Sequence, residues 1–361
     1  MILFMGMVAS VWAMDGTAGY KKGYVIKDGD FKLKISGRVQ PRYVFEATDD
    51  FSEMGSSMEI TRARLKLGGQ AWDPRLHYKI QLDMGKGYVS LKDYWVDWYI
   101  TDNVAFRAGQ FKRYASRQQL ASTDSIHLIE RSITDKEFGY GRDTGILLVR
   151  ELSNQGGLEW GVGLYNGTGD KGRFSGSTTV DLNTGEGDVT GKFSNVPDMF
   201  GPQLVARIGG GTIGHWGEND LAGGPLRYGV GGGFMTNFDL DDSDDGNLVA
   251  NLDWIVMAHG FSHTGAVFAG LDQDGDRYTD QTLTRYAFYG QAGYVIKNKV
   301  EPAARYGMVI PTDGSDATTE IGAGVNVYWF KHNWKWQTDF IVESTGGESS
   351  YLGRSQLQLK F

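Results

Sequence analysis

Cysteine is absent from this sequence of 361 residues, so neither a disulfide framework nor a thiolate metal site is available to it. Proline is scarce, with 7 residues. After the first 14 residues no run of 18 residues is both uncharged and predominantly apolar, so no transmembrane helix is expected. The formal net charge of -8 argues against a nucleic-acid partner, because such proteins neutralise phosphates with an excess of basic residues.

Glycine and aromatic residues, by contrast, are abundant, with 52 Gly, 10 Trp, 18 Tyr and 18 Phe. The mean hydropathy of -0.35 is typical of a soluble protein. A membrane barrel also averages as polar, because every second residue of each strand faces a wet lumen. Composition therefore leaves both classes open, and the pattern along the chain has to decide between them.

The last eleven residues, 351–361, alternate strictly between two faces. One face carries Tyr351, Leu357, Leu359 and Phe361, and the other carries mostly polar residues. A period of two with one apolar and one polar face predicts a β-strand between two different solvents. A final strand that ends on Phe resembles the closing strand and sorting signal of bacterial outer-membrane barrels.

The same alternation recurs from Phe31 onward in segments of about 9–15 residues, longer than the ~5–6 usual in soluble proteins and long enough to cross a bilayer. It predicts that one set faces lipid: Leu33, Leu65, Ile80, Phe288, Val327 and Leu357. It predicts that the other faces the lumen: Arg38, Arg64, Lys79, Arg285, Asn326 and Gln356. Ile60 falls on the lumen side with Arg62.

Short and long connections alternate between these strands. Short turns are expected at 72–74, 101–103, 297–299 and 331–333, and longer polar loops at 46–57, 112–142, 166–197, 239–246, 272–281 and 311–319. One rim of tight turns and one of long loops is the outer-membrane arrangement. We therefore predict an all-β protein, a transmembrane antiparallel barrel of about sixteen strands with both termini on the periplasmic side. The Gly-rich stretch 209–225 is too long for a tight periplasmic turn.

Residues 58–150 carry a run of motifs in a characteristic order. They are 62–69 (RARLKLGG), 91–99 (LKDYWVDWY), 107–112 (RAGQFK), 129–132 (IERS) and 141–146 (GRDTGI). This run resembles the phosphate-selective porin O and P family of Gram-negative outer membranes. The resemblance implies a sixteen-stranded, trimeric porin for phosphate or other small anions, whose long third extracellular loop folds into the lumen. One departure is Gly139-Tyr140, which stands where the family has proline before Gly-Arg-Asp.

The chain divides into three parts on this interpretation. Residues 1–13 form a signal peptide with a truncated basic region, cleaved after Ala13, so that the natural start lies upstream. A buried first strand or helix is the alternative for this stretch. Residues 14–30 are a periplasmic segment, and residues 31–361 are the barrel.

The expected anion path follows the basic inward faces of the first three barrel strands. Its residues are Arg38, Arg62, Arg64, Lys66 and Lys79, and Asp83 is the only acid on the same faces. Rows of like charge raise the local anion concentration, and arginine binds phosphate through two oxygens at once. Loop 112–142 is expected to narrow the pore with Arg113, Arg117 and Arg131. An exposed surface loop and a lumen whose opposing charges cancel are the alternatives.

Alternating acids at Asp272, Asp274, Asp276 and Asp280 are a weak calcium candidate, since Arg277 and Leu283 replace the Gly and Glu of an EF-hand loop. No catalytic motif or cofactor site is found, so we expect no enzyme and no cofactor. The function expected is passive diffusion of small anions through the outer membrane. The alternatives are a weakly selective general diffusion porin and a structural or adhesive barrel. Expected partners are lipid and lipopolysaccharide and two further copies in a homotrimer.

Overall fold

The computed structural model describes residues 17–20, 23–139, 141–167, 173–180, 187–194, 202–237, 246–274 and 281–361. Its strands are β1 Thr17–Tyr20, β2 Tyr24–Asp28, β3 Phe31–Thr48, β4 Met54–Ala71, β5 Asp73–Asp83, β6 Ser90–Tyr99, β7 Val104–Lys112, β8 Arg142–Arg150, β9 Glu159–Tyr165, β10 Arg173–Val180, β11 Gly187–Ser194, β12 Gln203–Gly211, β13 Arg227–Asn237, β14 Gly246–Ala258, β15 Phe261–Asp274, β16 Gln281–Tyr294, β17 Val300–Pro311, β18 Thr318–Phe330, β19 Trp334–Thr345 and β20 Glu348–Lys360. Two short helices, α1 Arg117–Leu120 and α2 Ile133–Phe138, lie between β7 and β8.

Antiparallel pairing closes these strands into a ring. Each strand from β3 to β8 pairs with the next, β9 pairs with β12, each strand from β12 to β19 pairs with the next, and β20 pairs with β3. The prediction of a sixteen-stranded barrel is therefore confirmed. Strands β10 and β11 form a separate two-stranded sheet, and the hairpin β1–β2 extends one end of β3.

Alternation along the strands separates a polar interior from an apolar exterior. Arg38, Asn326 and Gln356 are each 1% exposed, whereas Ile80 is 41% and Phe288 37% exposed on the outer surface. Both sets lie on the sides that the period of two predicts. Closure of the ring pairs each of the sixteen barrel strands on both sides, which is the condition for a sheet to cross a membrane.

One predicted side is wrong. Ile60 is 50% exposed on the outer surface, not on the lumen side with Arg62. The cause is a β-bulge, since Gln40 pairs with Arg62 but the next residue, Pro41, pairs with Ile60. The extra residue, Thr61, shifts the alternation by one position, so every residue of β4 before it changes face.

Tight turns form one rim of the barrel, as expected. At the turn between β16 and β17, Lys297 and Asn298 have φ of 50° and 57°. Positive φ at both central residues matches the twist of the flanking strands in short hairpins. Two connections at the barrel ends do not stay at the rim. Residues 113–139 and 141, which we call the infolded loop, and residues 212–226, which we call the lower insert, pack inside the barrel.

The chain ends at the seam between β20 and β3. Gly37 N donates to Phe361 O at 2.9 Å, and Phe361 N donates to Gly37 O at 3.0 Å. A Cβ atom on Gly37 would lie 2.7 Å from the Phe361 ring, so only glycine fits beneath it. Immediately beyond, Tyr24 of β2 pairs with Ile35 on the same edge of β3. Among the described residues, no helix is long and apolar enough to cross a membrane.

Candidate functional site

The infolded loop is fixed to the inner face of strands β14 to β20, which we call the packed wall. Arg117 N donates to Asp253 Oδ2 at 2.8 Å, and Ile129 N donates to Asp339 Oδ2 at 2.9 Å. The wall carboxylates thus take the backbone N–H groups that an irregular segment would otherwise leave unsatisfied. The loop crosses the lumen as a consequence.

A buried cluster around Glu301 holds the centre of the infolded loop. Its carboxylate accepts from His127 Nδ1 at 2.9 Å, from Asn219 Nδ2 and Asn326 Nδ2 at 2.7 Å each, and from the Tyr328 hydroxyl at 2.5 Å. Burial opposes a charge on His127, yet the neighbouring Glu301 carboxylate raises its pKa overall. The ring therefore carries its proton to a higher pH than an exposed histidine does.

The Ser262 hydroxyl lies 3.3 Å from His127 Nε2, on the side of the ring away from Glu301. A hydroxyl, an imidazole and a carboxylate in a row are the parts of a hydrolase triad. Here Ser262 and Glu301 are 0% exposed and His127 is 1% exposed. Because no substrate carbonyl can reach this hydroxyl, we interpret the row as part of the loop anchor.

Two other carboxylates of the infolded loop pair with cations at the seam, on β3, β4 and the end of β20. Asp124 lies 2.9 Å from Lys360 Nζ and 3.5 Å from Arg38 Nη1. Glu130 accepts from Arg42 Nη2 at 2.6 Å and from Arg62 Nη2 at 2.8 Å. Burial alone would raise the pKa of each carboxyl. The adjacent cations lower the pKa by a larger amount, so both carboxyls stay ionised.

The lower insert meets the infolded loop inside the barrel. Its Glu218 accepts from His127 N at 2.9 Å and from Gln291 Nε2 at 2.5 Å, and its Trp216 packs edge-on against Tyr114 with ring centroids 6.1 Å apart. Sequence reasoning assigned no role to these residues. The available signal was the excess length of 209–225 together with the polar run 218–220, which is unusual for a turn.

The space left open lies between the infolded loop and the inner face of β4 to β8, which we call the basic wall. This cavity has a volume of about 480 Å³. Among the described residues, its lining includes eight basic side chains and three carboxylates. The basic residues are Arg62, Arg64, Lys66, Lys79, Arg107, Lys112, Arg131 and Arg142, and the acids are Asp93, Asp97 and Glu151.

A second cavity of about 330 Å³ continues towards the short-turn rim and shares Lys66 and Lys79 with the first. Its charged lining consists of five basic residues and one carboxylate among those described: Lys34, Arg38, Lys66, Lys79 and Lys360, with Asp124. The two cavities form a basic passage along the wall, in which Lys66 and Lys79 mark the boundary.

Most of the predicted path residues pair with carboxylates, of which the sequence analysis had counted only Asp83. Arg64 pairs with Asp83 at 2.7 Å, and Lys79 pairs with Asp93 of the neighbouring strand at 2.7 Å. Counting acids on the first three strands alone missed Asp93 and the two loop carboxylates described above. Within the described part of the chain, no carboxylate lies within ion-pair distance of Lys66 Nζ. Lys66 lines both cavities without such a partner.

The three arginines predicted on the loop have different surroundings. Arg113 is 1% exposed and pairs with Asp143 at 2.6 Å, and Arg117 is 5% exposed and donates to His215 O at 2.6 Å. Both hold the loop in place. Arg131 borders the cavity and donates to the Gln118 carbonyl at 2.8 Å. Of the three, only Arg131 lines the space described here.

The acidic segment proposed as a calcium candidate lies largely outside the described residues, which include neither Asp276 nor Asp280. Asp272 and Asp274 belong to β15, where their backbones pair with Leu283 and Gln281. No group of three or more His, Asp or Glu residues able to hold a metal ion occurs in the part of the chain that the structure describes.

Comparison with known proteins agrees with this architecture. The family model described as phosphate-selective porin O and P matches residues 33–205, which confirms the resemblance predicted from the sequence. An uncharacterized protein of Aquifex aeolicus (strain VF5) is 25% identical over 369 residues, covering 91% of this chain and 87% of that protein.

Solved structures with a similar fold include an anion-selective porin from Comamonas acidovorans, with a TM-score of 0.59, 11% identity and coverage of 91% of this chain and 99% of that chain. The outer membrane channel DcaP of Acinetobacter baumannii gives a TM-score of 0.60 at 13% identity, covering 91% and 97%. A loop-deletion mutant of OmpT, an outer membrane protein of Vibrio cholerae, gives 0.61 at 10% identity, covering 90% and 98%. The fold is therefore that of outer-membrane barrels, and the family model that matches residues 33–205 is one of porins.

Proposed function

Since residues 33–205 match the phosphate-selective porin O and P family, we propose that this barrel conducts small anions across the outer membrane by passive diffusion through the basic passage. The observation that carries the proposal is the lining of the larger cavity, where eight basic side chains face three carboxylates. A lumen that served all solutes equally would need no such excess of one sign. The residues that act on the solute are Lys66, Lys79, Arg64 and Arg131, with Lys112 and Arg142.

The strength of the attraction is compatible with transport. A positive charge about 4 Å from an anion stabilises it by about 4 kcal/mol at an effective dielectric constant of about 20. Carboxylate partners reduce this at Arg64 and Lys79, so the passage offers several weak sites in series. Such sites let an anion enter and leave again, which a single tight site would not.

The assembly we propose is a homotrimer embedded in outer-membrane lipid, with lipopolysaccharide around the long loops. Support comes from the family resemblance and from the similar fold of OmpT of Vibrio cholerae, one structure of which is described as a trimer form. Chemical cross-linking of the membrane-inserted protein should stop at three copies. Cross-linking that stops at one copy would contradict the trimer.

The decisive test of selectivity is the reversal potential of Lys66→Glu in a planar bilayer under a salt gradient. The wild type should be anion-selective, and the variant should shift towards cations, because the charge without a carboxylate partner changes sign. Replacing Arg62, Arg64 and Lys66 together by Glu should shift it further. That triple variant also breaks the pairs with Glu130 and Asp83, so the single change is cleaner.

A matched control is Lys299→Glu, which makes the same charge change on an exposed residue of the turn between β17 and β16. Lys299→Glu should leave the reversal potential close to that of the wild type. High salt should reduce the effect of Lys66→Glu on the reversal potential, since the Debye length falls to ~3 Å at 1 M. An unchanged potential in the Lys66 variant at low salt would favour a weakly selective diffusion porin. No conductance steps at all would favour a structural or adhesive barrel.

A further inference from the structure

The larger cavity has a second kind of lining that the attraction of inorganic anions does not use. The same lining also contains the apolar side chains of Trp95, Tyr99, Leu120, Leu152 and Trp216. They come from β6, from the infolded loop, from the β8–β9 connection and from the lower insert. Four separate parts of the chain therefore converge to place apolar surface next to a wet passage, where polar residues would be the default.

Trp95 lies where the two linings meet. The Arg107 guanidinium carbon is 4.1 Å from the centroid of its ring, and Lys79 Nζ is 5.8 Å from the same centroid. Asp97 holds Arg107 in this position through two hydrogen bonds of 2.7 Å. The indole of Trp95 is thus fixed close to Lys79, which also lines the second cavity. One small aromatic anion can contact both side chains.

Trp216 supplies an apolar contact from the opposite side of the cavity. The Arg117 and Arg207 guanidinium carbons each lie 5.3 Å from its ring centroid, and Tyr114 packs on its edge. These contacts hold the indole without covering all of it, since it remains only partly buried. Rigid aromatic groups with convergent charged groups beside them are typical of sites for organic ligands.

We propose that the preferred solutes are organic anions that carry a flat apolar ring, of the class of aromatic carboxylates. The carboxylate would pass along Lys66 and Lys79 while the ring slides over Trp95 and Trp216. Inorganic phosphate offers no apolar surface and leaves both indoles in contact with water, so it gains nothing from this lining. The inference rests on the proposed anion conduction and specifies the solute class of the same passage.

The test compares three probes as blockers of chloride current through the wild-type protein in planar bilayers: benzoate, acetate and inorganic phosphate. Benzoate should reach half-block at a concentration about tenfold below that of acetate, because only its ring gains from leaving water. The half-block concentration of phosphate should be lower than that of acetate only by the amount that its extra charge explains. This comparison needs no variant, so a folding defect cannot obscure it.

Trp95→Ala should bring the half-block concentrations of benzoate and acetate to within about threefold of each other. Trp98→Ala is the matched control, since Trp98 lies on the same strand but is 40% exposed on the outer surface. It should keep the wild-type ratio. Heat-modifiability on gels verifies that both variants fold, and Trp95→Leu provides a second variant that keeps apolar volume at the site.

Equal half-block by benzoate and acetate in an anion-selective wild type would overturn this inference and leave the proposed function standing. A cation-selective or unselective wild type would overturn both. A benzoate preference that survives in both Trp95 variants would also overturn the inference, because the ring would then gain its affinity elsewhere.

Discussion

The packed wall and the basic wall arise from the same alternation of side chains, but their charged side chains differ in burial and in their partners. On the packed wall, Asp253 and Glu301 are 1% and 0% exposed, and their oxygens are used by the infolded loop. On the basic wall, the side chain of Lys79 is 32% exposed, and Lys66 has no carboxylate partner among the described residues. Burial makes the first set of charges structural, whereas the partial exposure of Lys79 and the place of Lys66 in the cavity lining put the second set next to the passage.

Of the changes that test the difference between the two walls, replacing Glu301 by Ala should have the largest effect on the infolded loop. It leaves a histidine, two amides and a phenol without their acceptor in a buried site, which costs about 3–5 kcal/mol. The infolded loop should then detach, so conductance rises and protease cuts the loop in the folded barrel. The control is Glu343→Gln on the same wall, where the partner Lys136 is 3.8 Å away and both side chains are exposed, so the change should cost less than about 1 kcal/mol. Equal effects of the two changes would contradict a distinct packed wall.

A smaller effect should follow from pH alone. The pKa of His127 is raised in the folded protein, so its contribution is complete below the unfolded value of about 6.5 and is lost as pH rises through the folded pKa. Each unit by which the pKa is raised corresponds to about 1.4 kcal/mol. Protease cleavage of the infolded loop should therefore become faster between neutral and alkaline pH. His127→Gln should flatten that profile, and a flat profile in the wild type would show that His127 does not anchor the loop through its charge.

On the basic wall, Asp93→Asn should change the stability of the protein less than the changes above. It should still produce a measurable change in ion selectivity. Asp93 pairs with Lys79 at 2.7 Å and with Arg142 at 2.5 Å, and an amide still accepts a hydrogen bond, so the cost is about 1 kcal/mol. The two cations that it releases face the passage. The reversal potential should move further towards anions, in the direction opposite to Lys66→Glu. A shift towards cations would mean that these charges do not lie on the conduction path.

Much of the fold follows from local pattern, because a period of two fixes which side of a strand a residue occupies. Arg38 and Leu357 lie on the predicted sides for this reason. Ile60 does not, since a bulge depends on how β4 pairs with β3, which no local pattern encodes. The strand number and the tight turns are similarly local, whereas the inward course of 212–226 depends on contacts with distant residues.

The candidate site was less accessible to sequence reasoning. Arg62 and its partner Glu130 are 68 residues apart, and Arg42 reaches the same carboxylate across 88 residues. Charge counting along individual strands cannot detect such pairs, so it overestimated the free positive charge of the wall. It did identify Lys66, which has no carboxylate partner among the described residues.

The seam between β20 and β3 also determines when the barrel becomes complete. The side chains of Gln40 and Gln358 meet across it at 2.7 Å although 318 residues separate them in sequence. Bringing such distant strands together costs about 5 kcal/mol of chain entropy. Until the last strand arrives, β3 presents an edge whose N–H and C=O groups find no partner in lipid, at several kcal/mol each. An almost finished barrel is thus far less stable in the bilayer than a finished one, and closure is an all-or-none event that depends on the pairing of β20 with β3.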